Sequence, residues 1–281
     1  MKYIILFSFS IFIHVAAQSQ HTFQQTQRGK KGSFYFYWGW NRAQYTASDI
    51  EFNGPSYDFT LDNVRAKDRF SKLSFKTYLN PGYITIPQYN FKLGYYFNDI
   101  YSISLGNDHM KYIVQNNQRV QITGKIGNTG TKYDGSYEQN DLILAEDFLK
   151  FEHSDGLNYF NLDFNRLDKF LDCKKVKFHF IEGFGAGVVI TKTNSTLLNN
   201  DRHDAFHLSG YGVNALFGIN IEFFKHFFIQ SEEKFGFINL PNIRTTKSNL
   251  DQANQNFFFY QFNVVVGAVF HLNRAHKTEQ I

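Results

Sequence analysis

Four consecutive side chains carry the groups that acyl hydrolysis needs: Glu152, His153, Ser154 and Asp155. An imidazole beside a hydroxyl and carboxylates can activate that hydroxyl as a nucleophile, so these residues are candidate catalytic residues. The alternative interpretation is the polar end of a strand, followed by a turn at Gly156. The sequence leaves both open, because a catalytic triad is recognised by the geometry of its members.

A second set of chemically capable residues is His203 and His207, flanked by Asp201 and Asp204. Two histidines four residues apart share a metal only when they lie on a helix. His207 begins a predicted strand, which favours an ordinary surface loop. We therefore expect no bound metal and no cofactor, and keep the two histidines only as metal candidates.

The glycine-rich segment 183–187 is not a nucleotide-binding loop. Such a loop needs a strand before it and a helix after it. Here the glycines occupy alternate positions of one predicted strand. Their expected role is to make room inside a narrow barrel.

Strands hold all of these side chains, because apolar residues recur at every second position. The longest of these alternating segments are longer than an ordinary soluble strand of about 5–6 residues, and their length matches the ~9–11 residues of a tilted membrane strand. The segments predicted as strands are 33–46, 85–97, 100–114, 157–168, 176–191, 206–223, 227–240 and 256–272.

The connections between these strands alternate in length. Short turns alternate with long segments at 47–84, 115–156, 192–205 and 241–255. This alternation is typical of outer-membrane barrels, which have tight periplasmic turns and long outer loops. We predict an all-β, antiparallel up-and-down transmembrane barrel of eight strands, with ten or twelve strands as alternatives. A soluble sandwich is the competing fold.

The predicted inward face carries charges that must pair with one another, since an unpaired buried charge is costly. An eight-stranded barrel is wide enough only for its own side chains, so a paired network would plug the lumen. A proton or ion path through a narrow channel is the functional alternative. The predicted network comprises Lys92, Asp163, Glu222, Gln230, Glu232 and Lys234.

Three local features carry further expectations. Glu182 falls on an apolar face, which predicts a β-bulge at Glu182-Gly183 that turns it inward. Trp38 and Trp40, with Tyr35, Tyr37 and Tyr45, suit aromatic girdles at bilayer interfaces. The first two long loops are aromatic and predict a folded extracellular cap, with a short hairpin near 119–126 and a helical turn at 141–149.

The termini predict export. Residues 1–19 read as a signal peptide, with Lys2, an apolar run and Val15-Ala16-Ala17 before the cleavage site. Residues 20–32 are then a periplasmic segment, 33–272 the barrel and 273–281 a periplasmic tail. Scattered basic residues at a net charge of +4 give no nucleic-acid footprint.

From residue 32 to 272 the chain resembles the small outer-membrane barrels of Bacteroidetes, with the architecture of the OmpA, OmpX and OmpW type. The resemblance rests on the strand pattern, on Phe262–Leu272 as an assembly signal, and on segments 107–112 and 151–158. In such an assembly signal the aromatic residue is normally the last of the chain, whereas here eleven residues follow Phe270.

The resemblance implies a monomer in the Gram-negative outer membrane, in contact with lipid and lipopolysaccharide and inserted by the barrel-assembly machinery. The implied role is structural, adhesive or binding of small apolar ligands or lipid, more consistent with a non-enzymatic than an enzymatic protein. The alternative is a lipid A acyl hydrolase at the outer rim. Eight-stranded lipid A deacylases place Ser two residues after His and then Asn, where this chain has Asp155 and Gly156.

Overall fold

The computed structural model describes residues 30–70, 87–198 and 200–271, and more than three quarters of the described residues lie in β-strands. The predicted signal peptide and C-terminal tail lie outside these ranges. No helix of the described part is long and apolar enough to cross a bilayer. The strands are β1 (Ser33–Tyr45), β2 (Ser48–Gly54), β3 (Tyr57–Val64), β4 (Ala66–Lys67), β5 (Tyr89–Tyr96), β6 (Tyr101–Val114), β7 (Arg119–Ile126), β8 (Gly135–Ile143), β9 (Leu149–Cys173), β10 (Val176–Leu197), β11 (His203–Phe223), β12 (Phe227–Arg244) and β13 (Gln252–His271).

Eight of these strands close into an antiparallel barrel. Their order around the ring is β1-β5-β6-β9-β10-β11-β12-β13, and β13 returns to pair with β1. The closing pair runs from Ser33 opposite His271 to Tyr45 opposite Phe259. The predicted eight-stranded barrel is confirmed, and the alternatives of ten or twelve barrel strands are wrong for the described residues.

The two ends of the barrel differ. At the turn end, defined by the connections 97–100, 174–175 and 224–226, the strands join through short loops. At the cap end, β13 also pairs with β2 through Gln252–Gln255, and the sheet continues through β3 and β7 to β8. We call the β2-β3-β7-β8 sheet the cap.

An apolar core fills the space between the cap and the cap ends of the barrel strands. Phe52 of β2 packs edge-on against Phe151 of β9, with ring centroids 5.7 Å apart. Phe59 of β3 lies 5.7 Å from Phe148, which precedes β9. All four rings are buried. The aromatic loops therefore form the folded cap that their composition predicted.

Strand boundaries at the cap end differ from the prediction. β9 begins at Leu149 rather than 157, and β10 extends to Leu197, so the third long loop is largely strand. The predicted hairpin at 119–126 is β7, which pairs with β8. The predicted helical turn at 141–149 is wrong over most of its length, because β8 runs to Ile143 and only one turn follows, with Leu149 N donating to Ala145 O at 3.1 Å.

The expected bulge at Glu182 is also wrong. The β9–β10 register is regular from His179 to Thr191, with Glu182 opposite Arg166. Glu182 is exposed on the outer wall, and Arg166 shares that face. A cationic neighbour on the same face lets the carboxylate remain outside without a change of register.

Aromatic residues of β1 do not all belong to one girdle. Tyr35 and Tyr37 are buried in the lumen, whereas Trp38 and Trp40 lie on the opposite, outer face. Tyr45 faces inward at the cap end, where its ring lies 5.0 Å from that of Tyr112. Both faces of β1 are aromatic, so its sequence alone could not assign them.

The glycines of 183–187 face the lumen, as expected for space-making residues. A Cβ on Gly187 would collide with the Phe160 carbonyl oxygen and lie 2.7 Å from Asn161 Cα. Both obstacles are backbone atoms of the neighbouring strand, which cannot move aside without breaking the β9–β10 ladder.

We expect Gly187→Ala to lower the free energy of unfolding by about 1–3 kcal/mol, because a methyl group must enter space held by backbone. Urea titration followed by tryptophan fluorescence measures this change. Gly127→Ala is the matched control, since a Cβ there meets nothing within 4 Å. Equal effects at the two positions would contradict the packing argument.

Candidate functional site

Two ion pairs occupy the middle of the lumen. Lys92 of β5 pairs with Asp163 of β9, and Lys234 of β12 pairs with Asp108 of β6 at 2.5 Å. Lys234 Nζ also lies 3.9 Å from Asp163, so the pairs join into one cluster. All four side chains are at most 2% exposed. We call these four residues the ion cluster.

Amide side chains complete the coordination of the two aspartates. Asn161 Nδ2 donates to Asp108 at 2.9 Å, and Asn214 Nδ2 donates to Asp163 at 3.2 Å. The Tyr159 hydroxyl donates to Asn214 Oδ1 at 2.7 Å. Each carboxylate therefore accepts from both a lysine and an amide, which offsets part of its desolvation cost.

Glu232 lies beside the ion cluster but has different partners. It accepts hydrogen bonds from Tyr37 at 3.2 Å, from Gln230 at 2.8 Å and from Asn263 at 2.9 Å. Gln230 in turn accepts from Asn220 at 2.9 Å. All three donors to Glu232 are neutral, so this part of the network is held by hydrogen bonds rather than by an ion pair.

Glu222 is the one predicted network residue that the structure places elsewhere. It is buried at the turn end, where its oxygens lie 2.6 Å from Lys30 Nζ and 3.8 Å from Lys177 Nζ. Lys92, Asp163, Gln230, Glu232 and Lys234 are together in the middle of the lumen.

Several members of the network were missed by the sequence analysis. Asp108 lies in the segment 107–112, which is polar on both faces and hides the alternation that would mark its direction. Lys30 precedes the first predicted strand. Tyr37 has aromatic neighbours on both faces, so the sequence predicts an outer girdle for it and not a place in the lumen. The need of Lys234 for an acidic partner does not single out Asp108, because Asp163, Glu222 and Glu232 were also available on the predicted inward face.

The candidate hydrolase residues do not meet. His153 is fully buried, and its Nδ1 lies 3.0 Å from Thr193 Oγ1. Glu152 accepts from Arg69 at 2.9 Å and from Asn194 at 2.7 Å. In the described part of the chain, no hydrogen bond joins His153 to Ser154, Glu152 or Asp155.

The environment of His153 opposes a role as a general base. Burial lowers the pKa of its imidazole to about 3. Asp155 is exposed and pairs with Lys192 at 3.3 Å, away from the imidazole. Ser154 is buried, so the arrangement offers no open site at which a substrate could reach His153 and Ser154 together.

His203 and His207 lie on β11 near its cap end. Burial and, next, the positive charge of Arg244 lower the pKa of both imidazoles. Within residues 30–70, 87–198 and 200–271, no group of three or more His, Cys, Asp or Glu is arranged to hold a metal ion. A cation beside both histidines also disfavours a second positive charge.

Comparison with known proteins finds structural likeness only. No family model and no curated protein matches the chain. The outer membrane protein AlkL shares 8% identity, covers 92% of this chain and 99% of its own, and gives a TM-score of 0.42. Neisserial surface protein A shares 10% identity, covers 86% of this chain and 100% of its own, and gives a TM-score of 0.35. The N-terminal β-barrel domain of Pseudomonas aeruginosa OprF shares 8% identity, covers 85% of this chain and 98% of its own, and gives a TM-score of 0.32. The barrel assignment itself rests on the strand pairings of this chain.

We expect Asp163→Ala to destabilise the protein by about 3–5 kcal/mol, because it leaves two buried lysines sharing one aspartate. The free energy of unfolding from urea titration checks this. Asp141→Ala removes the partner of Arg119 in a pair whose side chains are 62% and 71% exposed. That control should cost less than about 1 kcal/mol. Similar losses in both variants would refute the importance of the ion cluster.

Proposed function

We propose that this chain is an integral barrel of the Gram-negative outer membrane, with a structural or adhesive role carried by its cap. One observation carries the proposal: all eight barrel strands expose large apolar side chains on the outer wall while the lumen is polar in its middle. Representative outer residues, in ring order, are Phe36, Phe91, Leu105, Phe160, Phe184, Val213, Phe235 and Val266.

Water is a poor solvent for such a wall. Monomeric soluble proteins rarely expose contiguous apolar patches beyond a few hundred Å². A continuous apolar belt around a closed ring matches hydrocarbon, where every backbone group must be paired within the structure. The ring has no free barrel edge in the described chain, because β13 pairs with β1 along the length of β1.

The two ends support one orientation. Outer-membrane barrels keep short turns in the periplasm and long connections outside the cell. The turn end then faces the periplasm, and the cap faces the exterior. Export by residues 1–19 and an origin in Bacteroidetes, suggested by the sequence pattern, are parts of the same proposal. Outer-membrane lipid, lipopolysaccharide and the barrel-assembly machinery are its proposed contacts.

A filled interior favours a structural or adhesive protein over a channel, a carrier or a hydrolase. The ion cluster crosses the lumen from β5, β6, β9 and β12. The space under the cap is occupied by apolar side chains such as Phe52, Phe59 and Phe257. The buried His153 lacks a nucleophile within reach of a substrate. The outer face of the cap is exposed and is available to extracellular partners.

We expect Phe184→Arg to prevent membrane assembly, because an arginine near the middle of the lipid-facing wall costs about 2–4 kcal/mol. Heat-modifiable mobility and recovery in the outer-membrane fraction are the measurements. Phe184→Leu should assemble, and Gln121→Arg on the exposed face of the cap should assemble as well. An assembled, water-soluble Phe184→Arg barrel would overturn the membrane proposal.

We also expect the wild-type protein to produce no current steps in a planar bilayer, since its lumen is filled. Replacing Lys92, Asp163 and Lys234 together with alanine removes side chains that cross the lumen. If that variant assembles, it should conduct. Equal conductance by the two proteins would show that the ion cluster does not close the barrel.

A further inference from the structure

The turn end contains a groove whose walls are cationic. It has a volume of about 220 Å³ and is lined by Lys174, Lys175, Lys177, Glu222, Phe224 and Lys225. Lys174, Lys175 and Lys225 come from two neighbouring turns, between β9 and β10 and between β11 and β12, and Lys177 is the second residue of β10. Residues far apart in the chain thus bring four ammonium groups to one depression.

The groove is held together by backbone contacts. Phe224 N, in the second turn, donates to Lys175 O, in the first, at 3.0 Å. Lys174 and Lys225 both have left-handed backbone conformations, with φ of 55° and 68°. These tight turns set where each lysine leaves the backbone, so the spacing of the charges does not depend on a long flexible loop.

The one carboxylate in the groove is already neutralised. Glu222 lies 2.6 Å from Lys30 and 3.8 Å from Lys177. Lys174, Lys175 and Lys225 form no ion pair with any carboxylate of the described residues. The groove therefore keeps an excess of positive charge and fits an anion rather than a cation or a neutral sugar.

Apolar side chains surround this charge on the outer wall. Leu171, Phe224 and Phe227 are 47%, 63% and 61% exposed close to the two turns. A group that fits both features has an anionic head and a hydrocarbon body. Free phosphate would use the lysines but would leave these apolar side chains uncovered.

We propose that the groove binds the phosphate headgroup of an anionic phospholipid from the periplasmic leaflet. The inference rests on the proposed membrane location, which puts the turn end at that leaflet. Basic pockets at a membrane surface hold anionic headgroups, and each lysine near such a surface strengthens binding by about fivefold. The phosphate lies among Lys174, Lys175 and Lys225, with the acyl chains along Leu171 and Phe227.

Lipid retention tests the proposal. The assembled full chain is exposed to equal amounts of phosphatidylglycerol and phosphatidylcholine with the same acyl chains, and native mass spectrometry measures which lipid it keeps. We expect wild type to retain phosphatidylglycerol in at least about fivefold excess. The variant K174N/K175Q/K225N should lose that preference, with asparagine chosen where the backbone is left-handed.

A matched variant separates local from total charge. K67Q/K125Q/K150Q removes three exposed lysines from the cap end and should keep the preference. Equal retention of the two lipids by wild type, or the same loss in both triple variants, would overturn the proposal. Displacement by millimolar inorganic phosphate as effective as that by phosphatidylglycerol would assign a free anion and overturn the lipid assignment.

The chain offers an independent readout and a check on assembly. Cys173 is its single cysteine and is exposed beside Lys174, so a fluorophore there reports on the groove. Its emission should shift with phosphatidylglycerol and not with phosphatidylcholine; no difference would count against the site. Heat-modifiable mobility is measured first: a chain that fails it contradicts the membrane barrel, whereas an assembled barrel without preference contradicts only the lipid site.

Discussion

Closure of the ring between β1 and β13 is the constraint on which the rest of the structure depends. Thirteen residue pairs join the first and last barrel strands, so neither presents an open edge there. A closed sheet satisfies its backbone internally and can turn an apolar face to hydrocarbon. Closure at eight strands also fixes the diameter. The narrow lumen then requires the glycines of β10 and gives every charged group near Asp163 an ion-pair or hydrogen-bond partner.

The lumen contains apolar and polar layers at different heights along the barrel axis. Toward the turn end it is filled by an aromatic and aliphatic layer that includes Tyr35, Leu216 and Phe228. Above this layer lies the ion cluster, and above that the core shared with the cap. Two lysines pair with two aspartates, and neutral donors hold Glu232 in place of a third cation. The ion cluster thus lies between apolar layers, where satisfied hydrogen bonds rather than solvent stabilise it.

The sequence predicts a strand well where its two faces meet different environments, and poorly where both faces meet the same one. In β11 and β13, lipid on one side and polar side chains on the other give clean alternation, and their bounds were predicted within a few residues. The pattern fails in β1, which is aromatic on both faces, and in residues 149–156, which are covered on both sides by the cap and barrel. The placement of Asp108 and the separation of His153 from Ser154 depend on tertiary packing and carry no local signal.

The pairing of β2 with β13 has a consequence for the order of assembly. β2 follows β1 in the chain, but the barrel strand with which it pairs is β13, through Gln252–Gln255, which lies about two hundred residues later. Contacts so distant in sequence form late, because the intervening chain must first be ordered. The cap therefore stays incomplete until the last strand arrives. The complete outer surface of the cap therefore exists only in molecules whose barrel has closed. A partner that recognises this surface binds only fully assembled molecules.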